Sequence, residues 1–103
     1  MKNDKIIIGK YKEIYNDNSM PSVFDNISDI SINRKNEILH HLKSGAVVAV
    51  SPSYIKDIVS NKTVNQSLVM MSDGKYAWRS DVVYHFEKYN LVLPDEFIKE
   101  IID

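Results

Sequence analysis

The stretch SDGKYAWRSDVVYHFEKYNLVLPDEF, residues 72–97, holds the only Trp of the chain, three of its six Tyr and two of its three Phe. Its first turn is Asp73-Gly74, set between SLVMMS and KYAWR. Asp-Gly between two apolar runs is a strong hairpin signal, because a type I′ turn needs positive φ at both central residues. A two-residue turn there sets Met71 opposite Tyr76 and Val69 opposite Trp78, on one face of the hairpin. Tyr76 and Trp78 alternate with Lys75, Ala77 and Arg79, so the two rings are expected to face a core. A helix then starts at Ser80 or Asp81, whose side-chain oxygens suit free N–H groups and the positive end of the helix dipole. Val82, Val83, Phe86 and Tyr89 recur at helical spacing as its buried stripe, and Asn90 is a fitting stop. LVL is a short extended link. Pro94, Asp95 and Glu96 open a last helix with the stripe Phe97, Ile98, Ile101 and Ile102. The aromatics concentrate here because a hairpin and two amphipathic helices follow one another with almost no loop, and each needs large apolar anchors.

Upstream the signals are more uneven. KIIIGKYKEIY, from residue 5, suits either an edge strand or a short helix, and NDNSMPS reads as a loop. Pro21 is placed for the first turn of a short helix through SVFDNI, where its missing N–H is not needed. NRKNEILHHLKSG is a helix with Ile38, Leu39 and Leu42 on one face, Asn33 as N-cap and Gly45 as a left-handed stop. AVVAV, residues 46–50, is apolar throughout, which predicts a strand buried on both faces and ended by Ser51-Pro52. SYIKDIV reads as a short helix or turn and SNKTVNQS as a surface loop. The class is α+β: a single small domain over residues 1–103, with a mainly antiparallel sheet, the Asp-Gly hairpin and three to four helices packed on it.

A chain of 103 residues fits one domain. Hydrophobic residues at 44% and charged residues at 26% are ordinary for a folded domain. The absence of cysteine rules out disulfides, iron–sulfur clusters and thiolate zinc sites. MKNDKIIIGKYK has only three consecutive apolar residues, against the roughly 7–15 of a signal peptide. No run approaches the ~20 apolar residues of a membrane span. A cytoplasmic protein with no membrane partner is the expectation. The net charge of −1 conceals blocks: residues 1–12 carry +3, 13–33 carry −4, 34–80 carry +4 and 81–103 carry −4. Two acidic blocks can form a face for a cationic partner.

Catalytic and metal chemistry find little support. His40 and His41 are helix neighbours whose side chains diverge by about 100°. Glu37 with His41, and Asp81 with His85, are spaced four apart on one face, yet neither pair has a third ligand. Ser80, Asp81 and His85 include the residue types of a hydrolase triad, but all lie at one helix start with no nucleophile elbow. Gly9, Gly45 and Gly74 stand alone and build no phosphate loop. The reading is therefore non-enzymatic, without cofactor or metal. Arg34, Lys35, Lys43, Lys56, Lys62, Lys75 and Arg79, with Tyr76 and Trp78 as stacking platforms, are the nucleic-acid alternative. The net charge and the inward alternation of those rings argue against it.

The pattern DGKYAWRSDVVYHFEKYNLVLPDEF, with Gly74, Trp78, Asp81, Tyr89, Leu93, Pro94 and Phe97, continues upstream through HHLKSGAVVAVSPSYIKDIV and MPSVFDNI. It resembles the immunity proteins of contact-dependent growth inhibition and related bacterial polymorphic toxin systems. The resemblance implies a small cytoplasmic protein that binds a cognate toxin domain stoichiometrically, blocking its active site or its docking to a target. Such toxins are often basic nucleases, which matches the acidic blocks. On that reading the partner-binding residues are Glu13, Asp17, Asp25 and Asp29, with Tyr11 and Tyr15 as aromatic anchors. The alternative is a small nucleic-acid-binding or regulatory module.

Overall fold

The hairpin forms with its turn one residue further along the chain than Asp73-Gly74. A computed structural model describes residues 5–102. In it Met71 pairs with Trp78, Ser72 with Ala77 and Met70 with Arg79, and Asp73 N–H donates to the Tyr76 carbonyl. Gly74 and Lys75 are thus the central pair, and only Gly74 has positive φ, at +103°. The I′ requirement of two such residues is not met. Asp73 explains the shift: its Oδ1 accepts the N–H groups of Lys75 and Tyr76, so it serves best as the residue before the turn. The expected pairs, Met71 with Tyr76 and Val69 with Trp78, are replaced. Moving each partner by two residues keeps every side chain on its expected face.

The sheet has the order β1-β4-β3-β2, with β1 at Ile6–Ile7, β2 at Ala46–Asp57, β3 at Lys62–Ser72 and β4 at Tyr76–Arg79. All neighbours are antiparallel except β1 and β4, which are parallel. Several sequence expectations change here. AVVAV is strand, but all five residues are exposed: β2 is an edge strand, and neither face of its first five residues is covered. Pro52 does not end β2, since an outer strand tolerates a missing N–H, and the register shifts between Val50 and Tyr54. SYIKDIV extends β2, while SNKTVNQS is mostly β3. The turn between them lies at residues 58–61, where Asn61 takes φ +64°.

KIIIGKYKEIY divides into β1 and a one-turn helix, α1, at Lys12–Tyr15. The segment after Pro21 is a 3-10 turn, Val23–Asp25, with Ser22 as cap. The remaining helices are α2 at Lys35–Lys43, α3 at Ser80–Tyr89 and α4 at Asp95–Ile102. Arg34, in left-handed conformation, takes the cap position expected of Asn33. Gly45 is not left-handed. Ser44 N–H closes α2 onto the His40 and His41 carbonyls, and Gly45 instead makes room for Trp78. Asn90 stops α3 in left-handed conformation, as its position suggested.

Trp78 has no exposed surface. Its indole N–H donates to the Leu42 carbonyl, and its ring lies 5.6 Å from that of Phe97 and 5.9 Å from that of His41. One ring therefore joins β4, the end of α2 and α4. Val82 and Phe86 of α3 and Ile38 of α2 complete the core, all at zero exposure.

Two glycines separate backbone strain from crowding, read by the urea midpoint at constant slope. A Cβ on Gly45 would stand 2.8 Å from Trp78 Cζ2 and 3.1 Å from the Ser72 carbonyl, so Gly45→Ala should cost about 1–3 kcal/mol. Gly74 faces open space at φ +103°, so Gly74→Ala should cost about 1 kcal/mol from strain alone. Trp78→Ala should cost about 3–5 kcal/mol. A Gly45→Ala midpoint equal to the parent's would refute the packing given to Trp78.

Candidate functional site

The acidic segment 13–33 is folded against the body in two different ways. Glu13 accepts Val23 N–H at 2.8 Å and the Ser22 hydroxyl, clamping α1 to the 3-10 turn. Burial pushes its carboxyl up, but those two donors hold it below the usual range. Asp17 accepts the Ser19 N–H and hydroxyl, closing its own turn. Tyr11 lies in the core at 6% exposure and donates its hydroxyl to the Val92 carbonyl. Tyr15 is half-buried under the Arg79 guanidinium, 5.2 Å from the ring centroid, and its buried hydroxyl has no hydrogen-bond partner among the described residues. Glu13, Asp17 and Tyr11 thus hold internal contacts, and Tyr15 packs beneath a cation.

Asp25 and Asp29 differ, because both face solvent. Beside them Phe24 and Ile30 are 53% and 79% exposed. Their outward position is not slack in the chain. Val23 is fully buried, and Ile27 and Ile32 pack against the core. Ser28 N–H donates to the Tyr89 carbonyl, Val92 N–H to the Asn26 carbonyl, and Asn90 Nδ2 to the Ser28 carbonyl. Val23, Ile27 and Ile32 anchor inward while Phe24, Asp25, Asp29 and Ile30 form a ridge with an acidic and an apolar component. A hollow of about 210 Å³ adjoins it, lined by Ile27, Ser28, Asp29 and Tyr89. Phe24 and Ile30 were missed in the sequence, where SVFDNI was read only as a short helix after Pro21. The signal lay in the spacing of Val23, Ile27 and Ile32, which leaves the other two apolar residues without a place inside.

A second concavity, about 630 Å³, lies between α2 and α4 and includes Glu37, His40, His41, Ser44 and Ile101. The residues in it bond to neighbours of their own. Glu37 pairs with Arg34 and not with His41, and His41 Nε2 lies 2.7 Å from Asp73. The Ser44 hydroxyl donates to the His40 carbonyl. Ser80, Asp81 and His85 also fail to converge. Ser80 bonds Ser67 and Val69 backbone groups, the Asp81 carboxylate bonds Arg79, and His85 Nδ1 meets the Asp81 main-chain oxygen. Among the described residues no three His, Asp or Glu side chains are grouped to hold a metal ion. The basic set does not form a platform with Tyr76 and Trp78, which are 6% and 0% exposed. Lys43, Lys75 and Arg79 pair with Glu87, Glu100 and Asp81, and Lys35 donates to the Glu87 carbonyl and Asn90.

A heavily bonded charge is Asp57, 1% exposed at the end of β2. Its Oδ1 accepts Val59 and Ser60 N–H at 2.9 Å each, and its Oδ2 accepts the Tyr84 and Tyr89 hydroxyls at 2.7 and 2.6 Å. Burial alone would raise this carboxyl, and the four donors outweigh it and hold it well below the usual range. His85, fully buried, sits alongside: Nδ1 faces the Asp81 carbonyl at 2.6 Å and Nε2 faces Ile58 N–H at 3.0 Å. A carbonyl only accepts and an amide only donates, so the ring is neutral with its proton on Nδ1. These two side chains tie α3 to the distal turn of the ribbon, and every lone pair they offer there is engaged. They build structure and leave nothing for a ligand.

No protein-family model, curated protein or solved structure matches the chain. Among the described residues no helix is long and apolar enough to cross a membrane.

Asp57→Asn should lower stability by on the order of 2–3 kcal/mol at neutral pH, because an amide nitrogen would face donors. A depressed carboxyl stabilises above its unfolded pKa, about 3.9 for Asp, and that contribution is lost as pH falls through the folded value. Asp81 has the opposite sign, since burial raises its carboxyl despite Arg79, and it is common to both proteins. The parent should therefore lose more stability than Asp57→Asn between neutral pH and pH below about 4. Parallel melting curves across that range would show that Asp57 is not the depressed group.

Proposed function

We propose that this chain is a non-enzymatic immunity protein that binds a cognate bacterial toxin domain in the cytoplasm and neutralises it by occupying its surface. The observation that carries the reading is the ridge at residues 23–32, where Phe24 and Ile30 stand exposed on either side of Asp25 and Asp29. Apolar anchors bordered by charge are the composition of a protein-binding patch: the anchors slow dissociation and the charges speed encounter. The negative sign suits a basic partner, as a nuclease toxin would be. The resemblance of the sequence to immunity proteins favours a toxin domain as that partner, and the ridge offers a contact for it. Within the acidic block the working residues are then Asp25 and Asp29, with Phe24 and Ile30 replacing Tyr11 and Tyr15 as anchors.

The test is growth protection during co-expression with the toxin domain encoded beside this chain's gene, together with binding kinetics on the purified pair. Asp25→Asn with Asp29→Asn should slow association several-fold and flatten its salt dependence, with little change in dissociation. Phe24→Ala with Ile30→Ala should weaken binding tenfold or more, about 1.4 kcal/mol, through faster dissociation. Thermal melts of all four substitutions should match the parent, since the side chains are exposed. Full protection by both double variants would remove the ridge as the contact. Failure of the parent to bind or protect against the neighbouring toxin would end the immunity reading.

A further inference from the structure

His85 is a fully buried titratable side chain whose two hydrogen bonds fix its state. Nδ1 donates to the Asp81 carbonyl at 2.6 Å, and Nε2 accepts Ile58 N–H at 3.0 Å. Ile58 opens the turn at residues 58–61 between β2 and β3, and its side chain packs against the core. The bond to Nε2 therefore fastens the far end of the ribbon to α3. It exists only while that nitrogen carries no proton.

A proton on Nε2 would turn the acceptor into a donor aimed at an amide N–H, and the surrounding groups are already committed. On β2, the four lone-pair sites of Asp57 accept Val59 and Ser60 N–H and the Tyr84 and Tyr89 hydroxyls. On α3, the Asp81 carboxylate is held by Arg79 of β4 at 2.8 Å. The Tyr84 and Tyr89 rings lie 5.2 and 5.8 Å from the imidazole. Lys88 Nζ stands over both of those rings and 3.7 Å from Asp57, adding positive charge. The turn itself, Ile58, Val59, Ser60 and Asn61, has no ionisable side chain. A protonated ring is thus accommodated only when Ile58 moves away and water reaches both N–H groups. The closed turn and the protonated ring exclude each other, so acid favours the open turn. We infer that His85 is a pH-sensitive latch: the neutral ring holds the 58–61 turn closed on α3, and protonation of Nε2 releases Ile58 from it. Asp57 stays bonded to Tyr84 and Tyr89 and keeps the end of β2 in place, which confines the motion to the turn. The inference stands independently of the toxin-binding reading.

An NMR titration of the parent from neutral to mildly acidic pH tests it, following the ring nitrogens of His85 and amide exchange as protection factors. At neutral pH Nδ1 should carry the proton and Ile58 N–H should be protected. As the ring takes up its second proton, Ile58 protection should fall about tenfold or more with the same midpoint. The Trp78 indole N–H, bonded to Leu42, should keep its protection throughout. His85→Gln offers a side-chain oxygen that accepts Ile58 N–H at any pH, so its Ile58 protection should stay flat over the same range. Where that variant does not fold, the parent titration decides alone. Four outcomes would overturn the inference: a proton on Nε2 at neutral pH, Ile58 protection that survives a charged ring, a ring that charges only as every amide loses protection together, or a folded His85→Gln that opens at the parent's midpoint. The last would pass the trigger to another group, such as Asp81, whose carboxyl is raised by burial.

Discussion

The indole of Trp78 joins β4, α2 and α4. It stands on β4, donates to the last turn of α2 through Leu42, meets Phe97 of α4, and touches the backbone where Gly45 turns α2 into β2. A ring of that size buries a large apolar area in one place, and here it fixes three angles at once. Gly45 lets the chain leave α2 close to the sheet. Any larger residue would push the start of β2 away from the Ser72 carbonyl, 3.1 Å from where its Cβ would be. The position of the outer strand, and so of its exposed apolar edge, follows from this contact.

At the other end of the ribbon the restraint is polar. Asp57 and His85 bind the distal turn to α3 through groups that lack alternative partners once buried. A two-stranded ribbon is only marginally stable by itself. This one is held at its base by β4 and at its tip by α3, and the apolar start of β2 is left uncovered. Fixing both ends keeps a neutral, sticky strand extended without covering it with helix. The core is local to the helices and β4, so the ribbon adds surface more than it adds core.

How much of this was legible depends on whether neighbours in sequence or in space decide a residue's state. The hairpin, α3 and α4 were legible because Gly74, Asn90, Pro94 and the stripe of Val82, Val83 and Phe86 act through the chain next to them. AVVAV was misread because a run of β-branched residues has the same appearance in a buried strand and in an uncovered one. The difference lies in whether other elements cover its faces, and here β2 is an edge strand with both faces of these five residues open. Pro52 and SNKTVNQS failed for the same reason: an outer position forgives a proline and polar residues that an inner strand would reject. In the acidic block, composition alone could not separate Glu13, whose donors come from Ser22 and Val23 nine and ten residues away, from Asp25, which has none of these restraints. Phe24 escaped notice because exposure is decided by its neighbours Val23 and Ile27 filling the available core.

The ridge at residues 23–32 is held through Asn26 and Ser28 by bonds to the main chain of Tyr89 and Val92 and to the Asn90 side chain, so little backbone freedom remains to be lost on contact. An inhibitor that must find a toxin before it reaches its target gains from rapid, charge-steered encounter, and one that must keep it inactive gains from slow release. Acidic residues provide the first and are weakened by salt. Desolvated apolar anchors provide the second and are not. Asp25 and Asp29 beside Phe24 and Ile30 combine both within one short segment.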